Sequence, residues 1–414
     1  AAVARIHCPR DGELASGVNV SISASSPGAG YSAVPASVTA ADSLDPYAVF
    51  SGGVVRYASG FVFPLAATRT IGGSSLADAS VAYQVSHRLT TNFDGRYICV
   101  VLKSNRLLPI RVLVDGKYVD LTGVTVAAIN TTNYLLIDLG SRRPRGRKVQ
   151  VEFCGGADTG GGSIAGLVQF GGFLVQPLDQ VWAPGDLGPR LIVVGDSYTY
   201  GPLIDQVGST RLYDGFAPIL GDLLGIEDLF ANGVPGSGWL ARSSGDNVPD
   251  VLNRIADVTG SAKRYTEVLW DLGYNDAARW GLAAGGITIN SGNLQQRVTD
   301  TLQAARAALP MVPFYIPRPS RSPSNSANIA AVETAIFTAA NALDDDFIVT
   351  EPTSWQVAQT GTGKVGSTAD DGNGDIYMSP DGSHASYDGH EHIAAKRRTF
   401  IMWARQQIAQ RLVS

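Results

Sequence analysis

Cysteine is scarce in this sequence: 414 residues contain three, Cys8, Cys99 and Cys154. They are too few and too scattered for a disulfide framework, no C-x-x-C spacing suggests zinc, and one disulfide at most is possible. Long apolar runs are also missing. Although 44% of the residues are hydrophobic, no uninterrupted stretch approaches the roughly 18 residues that cross a bilayer. A membrane span is therefore not expected. Charged residues make up only 17%, and the net charge of −5 comes with basic residues that are mostly Arg and spread out. That leaves no electrostatic footprint for nucleic acid. The densest basic stretch, SRRPRGRK at Ser141 to Lys148, lies between two strand-like runs and reads as a solvated hairpin turn rather than an anion site. The opening AAVARIHCPRDG has neither the charged start nor the apolar stretch of a secretory signal, and without an initial Met it reads as a processed or trimmed start.

What is present is a chain longer than one ordinary core serves, so two domains are expected. The first forty residues, with SISASSPGAGYSAVPAS, are rich in Ser, Ala, Pro and Gly and read as a weakly structured lead-in or connector, residues 1–40. From about Val54 to Pro177, short runs of Val, Ile, Leu, Tyr and Phe are broken by Gly, Asn, Asp and Ser clusters, which is the pattern of an all-β domain. In IRVLVDGKYVDL, Asp115-Gly116 supplies the positive φ angles that a two-residue type I′ hairpin turn requires. The expectation is a β-sandwich or jelly roll over residues 41–183.

After VWAPGDLGP the pattern changes, with strand-like runs alternating with helical ones. Arg190 to Val194, DLFAN, EVLWDLG, VPFYIP and DFIVTEP read as strands. YDGFAPILGDLLG, VPDVLNRIADV, LQQRVTDTLQAARAAL, NIAAVETAIFTAANAL and the closing GHEHIAAKRRTFIMWARQQIAQRLV read as helices. Such alternation implies a three-layer α/β sandwich, a parallel sheet with helices on both faces, over residues 184–414.

In a parallel α/β sheet, ligands bind beyond the carboxyl ends of the strands. Those positions hold Gly195-Asp196-Ser197 after the first strand, ANGVPGSGW after the second, and Gly273-Tyr274-Asn275-Asp276 after the third. The loop before the last helix adds SPDGSHASYDGHEH, where Asp381 precedes His384 by three residues. A serine hydroxyl needs a base to take its proton, and that base needs a third group to hold its tautomer. Ser197, His384 and Asp381 suit those roles. The oxyanion formed by attack needs fixed donors: the Ser197 N–H, a glycine N–H of the second loop and the Asn275 amide qualify.

These four stretches, in this order, resemble the sequence blocks of the SGNH, or GDSL, hydrolase superfamily over about Arg190 to Ser414. The resemblance implies a flavodoxin-like fold with Ser197 as nucleophile, Gly236 and Asn275 as oxyanion donors beside the Ser197 N–H, His384 as base and Asp381 as its orienter. Two departures stand out: Ala385 follows the His, and Asn232 lies directly before Gly233, which leaves Gly238 as an alternative donor to Gly236. No cofactor or metal is implied. ADDGNGDIY partly resembles a calcium loop, but Ala369 and Pro380 stand where ligands belong, so the segment around Asp370 to Asp375 reads as a turn.

Of the five histidines, His7 and His87 lie in the N-terminal half, and His390 and His392 read as surface or capping residues. Asp388 reads as an N-cap and Asp196 as a brace for the Ser197 turn. Tyr198, Tyr200, Trp239, Tyr274 and Trp280 cluster beside the blocks; two or three are expected in the core and the others as flat platforms for substrate. The leading expectation is a serine esterase acting through an acyl-enzyme on O-acetyl groups of a carbohydrate, in a secreted or phage-particle setting. A short-chain carboxylesterase or lipase-like enzyme, and a glycan-binding protein on an inactive scaffold, are the alternatives. Oligomeric state is open.

Overall fold

The computed structural model describes residues 14–36, 47–52, 54–58, 61–65, 70–71, 74–75, 85–105, 107–155, 168–185, 187–201, 212–242, 250–259, 265–321, 326–352 and 372–413. They divide into two compact units, one running to Gly188 and taking in Tyr213, the other starting at Pro189. The sequence pattern places this boundary five residues earlier, between residues 183 and 184.

Among the described residues, the first unit has a separate two-stranded pair, Thr70–Ile71 with Ser74–Ser75, and two large antiparallel sheets. One has the order Asn19–Ser23, Thr132–Asp138, Tyr97–Ser104, Val168–Val175, Phe61–Leu65, Val54–Ala58, with Ser32–Pro35 also paired to Val168–Val175. The other runs Lys117–Tyr118, Pro109–Val114, Arg147–Gly155, Val85–Phe93, Val181–Trp182, with Val124–Thr125 and Val49–Ser51 at its sides. Alternating burial along Thr132–Asp138 shows a sheet with one face inward. Phe50 of one sheet meets Phe170 of the other edge to face at 5.5 Å, and Phe170 meets Phe173 at 5.0 Å. Asp115 and Gly116 take φ of 52° and 80°, and Val114 pairs with Lys117, as the two-residue turn requires.

Three expectations change here. The lead-in contributes two strands, Asn19–Ser23 and Ser32–Pro35. The first of these alternates exposed and half-buried residues, so one face is polar and its composition hides the strand. Cys99 and Cys154 are buried in different sheets and form no disulfide with each other. Cys8 lies outside the described residues. The basic stretch is no hairpin turn: it crosses from Thr132–Asp138 in one sheet to Arg147–Gly155 in the other, and Arg142 donates to the Leu178 carbonyl at 2.6 Å while Arg147 pairs with Asp115 at 3.0 Å.

The second unit carries five parallel strands: β1 (Arg190–Gly195), β2 (Asp228–Gly233), β3 (Glu267–Asp271), β4 (Phe314–Ile316) and β5 (Ile348–Thr350), in the order β2-β1-β3-β4-β5. That is the doubly wound, flavodoxin-like order. Its helices are α1 (Ser197–Tyr200), α2 (Phe216–Leu224), α3 (Ile255–Thr259), α4 (Tyr274–Ala278), α5 (Ser291–Ala308), α6 (Ser326–Asn341), α7 (Gly374–Tyr377) and α8 (Tyr387–Arg411). The middle stretches of the central strands are apolar because helices cover the sheet: Leu191 to Val194 of β1 and Val268 to Trp270 of β3 are all fully buried.

Helix α8 is tied to the sheet by charge. The buried Arg397 donates to both carboxylate oxygens of Asp271, at 2.8 and 2.9 Å, to Glu351 at 3.2 Å and to the Arg318 carbonyl at 3.0 Å. Removing one partner of such a buried pair leaves its opposite charge uncompensated. Arg397→Leu is expected to cost about 3–5 kcal/mol, read as a lower midpoint in urea unfolding of this unit; an unchanged midpoint would show that the pair does not hold α8.

Candidate active site

The site is assembled where the strands end. Gly195, at the end of β1, lies level with Gly233 of β2 and Asp271 of β3. Two residues on, Ser197 opens α1. Asp196 is its N-cap: the side chain accepts the Tyr198 N–H at 2.9 Å, which braces the turn as the sequence leads one to expect. A Cβ at Gly233 would fall 2.1 Å from the Tyr200 nitrogen, so α1 can rest on the end of β2 only because that residue is glycine.

From the other end of the chain, the turn before α8 brings His384 to the serine. His384 Nε2 lies 3.1 Å from Ser197 Oγ, and His384 Nδ1 lies 2.6 Å from Asp381 Oδ2. Asp381 Oδ1 accepts the Ser379 hydroxyl at 2.5 Å and the backbone N–H groups of Ser383 and His384 at 2.9 Å each. Partial burial alone would raise the carboxyl pKa. The hydrogen bonds from His384, Ser379 and those two N–H groups outweigh it and hold Asp381 well below the usual carboxylate range. An ionised carboxylate only accepts, so Nδ1 carries the imidazole proton and Nε2 presents its lone pair to Ser197.

The third strand supplies Asn275 in the first turn of α4. Its Nδ2 donates to the Ser237 carbonyl at 2.9 Å and lies 3.3 Å from Asp196 Oδ2. One amide thus touches the neighbour of Gly236 and the neighbour of Ser197. The Gly238 N–H is committed to the Ala241 carbonyl at 2.9 Å, whereas among the described residues the N–H groups of Gly236 and Ser197 have no acceptor. Gly236 holds a φ of 78°, a conformation that glycine adopts without cost. Of the two glycines, Gly236 is the one left able to donate.

Neither a family model nor a curated protein matches the sequence. Solved structures do. The chain is similar to a salicylyl-acyltransferase from a tetracycline biosynthetic pathway, at 14% identity and TM-score 0.59, over 91% of this chain and 98% of that one. It is similar to a family two carbohydrate esterase from Cellvibrio japonicus, at 13% identity and TM-score 0.56, over 94% and 99%. A family two carbohydrate esterase from Clostridium thermocellum in complex with cellohexaose matches at 17% identity and TM-score 0.53, over 78% and 96%. The chain has the SGNH hydrolase fold.

Within that SGNH fold, the aromatic cluster is more buried than its sequence suggests. Trp239 is wholly buried and stacks on Trp270 at 5.6 Å, so it belongs to the core and is no substrate platform. Tyr198, Tyr200 and Tyr274 are buried too, and Trp280 is half-buried. His390 is not a surface residue. It is buried in α8, accepts the Phe216 N–H at the start of α2 at 3.2 Å, and burial pushes its pKa down to about 3. Ser386, not Asp388, caps α8 by accepting the Gly389 N–H at 3.0 Å; Asp388 sits in the first turn. Among the described residues no group of three potential ligands could hold a metal; Asp370 and Asp371 lie outside them.

Sequence reasoning gave no role to Asp276, although it closes the third block. Its buried carboxylate collects the N–H groups of Trp239, Leu240 and Ala241 at 2.8 to 2.9 Å and so fixes the loop that follows Gly236. Arg254 was hidden inside a helical pattern. Buried, it donates to the Gly195 carbonyl at 2.8 Å, to Ser237 Oγ at 2.7 Å and to the Asn232 carbonyl, bracing the ends of β1 and β2.

Asp196 provides a pH test. Burial pushes its carboxyl up to about 8 against the opposing Tyr198 N–H, with Asp271 and Asp276 raising it further and Arg254 lowering it. An unfolded Asp titrates near about 4, so between about pH 4 and pH 8 the folded chain holds the extra proton and stability falls as pH rises. Asp196→Asn keeps an acceptor for the Tyr198 N–H and removes that titration. Its urea midpoint relative to wild type is expected to be higher at about pH 8 than at about pH 5; a pH-independent difference would show that Asp196 is ionised throughout.

Proposed function

We propose that the protein is a serine esterase that cleaves O-acyl esters through an acyl-enzyme, with a carbohydrate as the alcohol. The observation that carries this reading is the unbroken hydrogen-bond chain from Ser197 Oγ through His384 to Asp381. In the forward step His384 Nε2 takes the serine proton as Oγ attacks the ester carbonyl, and Asp381 stabilises the imidazolium that results. The N–H groups of Ser197 and Gly236 receive the developing oxyanion, and the Asn275 amide joins them by giving up its 3.3 Å contact with Asp196 Oδ2. His384 returns the proton to the leaving alcohol, then activates the water that releases the acid.

The carbohydrate assignment is supported by solved structures of like fold that are family two carbohydrate esterases, one of them holding cellohexaose. We read acetyl as the acyl group, the N-terminal unit as a β-sandwich, jelly-roll-like accessory domain, and the setting as secreted or particle-bound. No helix among the described residues is long and apolar enough to cross a membrane. Transfer to an alcohol other than water is the second reading, favoured by the likeness to a salicylyl-acyltransferase.

A p-nitrophenyl ester series from acetate to laurate, with wild type and Ser197→Ala, tests the first reading. Acetate is expected to be preferred, and the variant is expected to lose on the order of 10⁴-fold or more in kcat. A laurate preference would overturn the acetyl assignment, and an active Ser197→Ala would remove Ser197 from its role. Acetylated xylan or cellulose oligosaccharides with acetate release as the readout test the alcohol. If added alcohols divert most of the acyl group from water, the transfer reading is the correct one.

A further inference from the structure

The turn that carries His384 is braced within itself. The Ser379 N–H donates to the His384 carbonyl at 2.7 Å, the Gly382 N–H to the Ser379 carbonyl at 3.0 Å, and Met378 bridges to Ala385. Such bracing fixes the shape of the turn. It does not by itself fix where the turn stands against α1, and a general base must stay within hydrogen-bond reach of its nucleophile.

Tyr198, the residue after Ser197, makes that connection. Its hydroxyl donates to the Ser383 carbonyl, one residue before His384, at 2.5 Å. The ring is 2% exposed and packs against Tyr274 at 5.2 Å and His384 at 6.2 Å between centroids. Two parts of the chain 185 residues apart are thereby pinned together one residue away from each reacting group.

We propose that Tyr198 is a positioning residue for acyl transfer: its hydroxyl, held on the Ser383 carbonyl, keeps His384 Nε2 within reach of Ser197 Oγ. The inference rests on the reading of Ser197 and His384 as nucleophile and base. Burial above all, with Tyr274 and the nearby carboxylates Asp196, Asp381 and Asp271, raises the Tyr198 pKa well above its ordinary value. The phenol therefore remains a donor throughout the range in which an esterase works. Because His384 serves both acylation and deacylation, loss of the tether slows both steps and leaves ground-state binding alone.

The test is Tyr198→Phe, which keeps the ring and deletes only the donor, assayed on p-nitrophenyl acetate beside wild type and Ser197→Ala. A displacement of ~1 Å at a reacting group costs on the order of a hundredfold, and part of that is expected here: roughly 10- to 50-fold in kcat, with KM within about twofold. The downfield proton resonance of the His384 Nδ1–H in its bond to Asp381 is expected to persist, since that bond lies inside the turn. Fluorotyrosine at position 198, which restores a donor, is expected to recover most of the rate. Wild-type kcat in Tyr198→Phe overturns the proposal. So does loss of rate together with the downfield resonance, or failure of fluorotyrosine to rescue, because either marks a packing role. An active Ser197→Ala would instead defeat the underlying reading of the site, whatever Tyr198 does. If Tyr198→Phe does not fold, the wild-type and fluorotyrosine proteins decide the matter: the fluorinated phenol is the stronger acid, and an unchanged kcat when its pH profile is followed through ionisation overturns the tether.

Discussion

The buried pairing of Arg397 with Asp271 is the constraint on which the site depends. Asp271 ends the third strand of the parallel sheet, level with Gly195, and Arg397 lies in the long terminal helix. The pair holds that helix to the sheet, and the turn carrying Asp381 and His384 leads directly into the helix. A charge pair so buried is a poor source of net stability, because desolvation offsets most of the attraction. What it provides is a fixed geometry, with Glu351 and the Arg318 carbonyl taking two further donors of the guanidinium.

A second set of buried groups does the same for the loops at the other strand ends. Arg254 gathers the carbonyls of Gly195 and Asn232, and the Asp276 carboxylate gathers three consecutive N–H groups after Gly238. Burial raises the pKa of Asp196 and of Asp276 alike, while Asp381, more exposed and surrounded by donors, moves in the opposite direction. The carboxylate hydrogen-bonded to the His384 imidazole is thus the one that its surroundings keep charged. Those that serve as braces sit where ionisation is costly.

Much of this was legible in the residues themselves. The alternation of strand and helix patterns after Pro189 located each strand of the parallel sheet, and the four blocks brought Ser197, Asn275, Asp381 and His384 into one place. Asp115-Gly116 announced its hairpin. What was hidden has physical reasons. The strands Asn19–Ser23 and Ser32–Pro35 carry too few apolar residues to show, since polar side chains can line the exposed face of a sheet. Arg254 and Arg397 gave no signal inside their helical patterns, because a guanidinium in sequence does not reveal the carbonyls and carboxylates it will meet. Tyr198, Tyr200, Trp239, Tyr274 and Trp280 could not be sorted into core and platform for a similar reason: an aromatic side chain suits a core as well as a binding cleft, and only packing decides.

The central claim is that Ser197 becomes acylated, and trapping the intermediate tests it most directly. The protein is mixed with p-nitrophenyl acetate, quenched in acid during turnover, digested and examined by mass spectrometry. One acetyl group on the peptide holding Ser197 is the result this account predicts. Continued ester hydrolysis with Ser197 unmodified, or with the acetyl group on another residue, would contradict it.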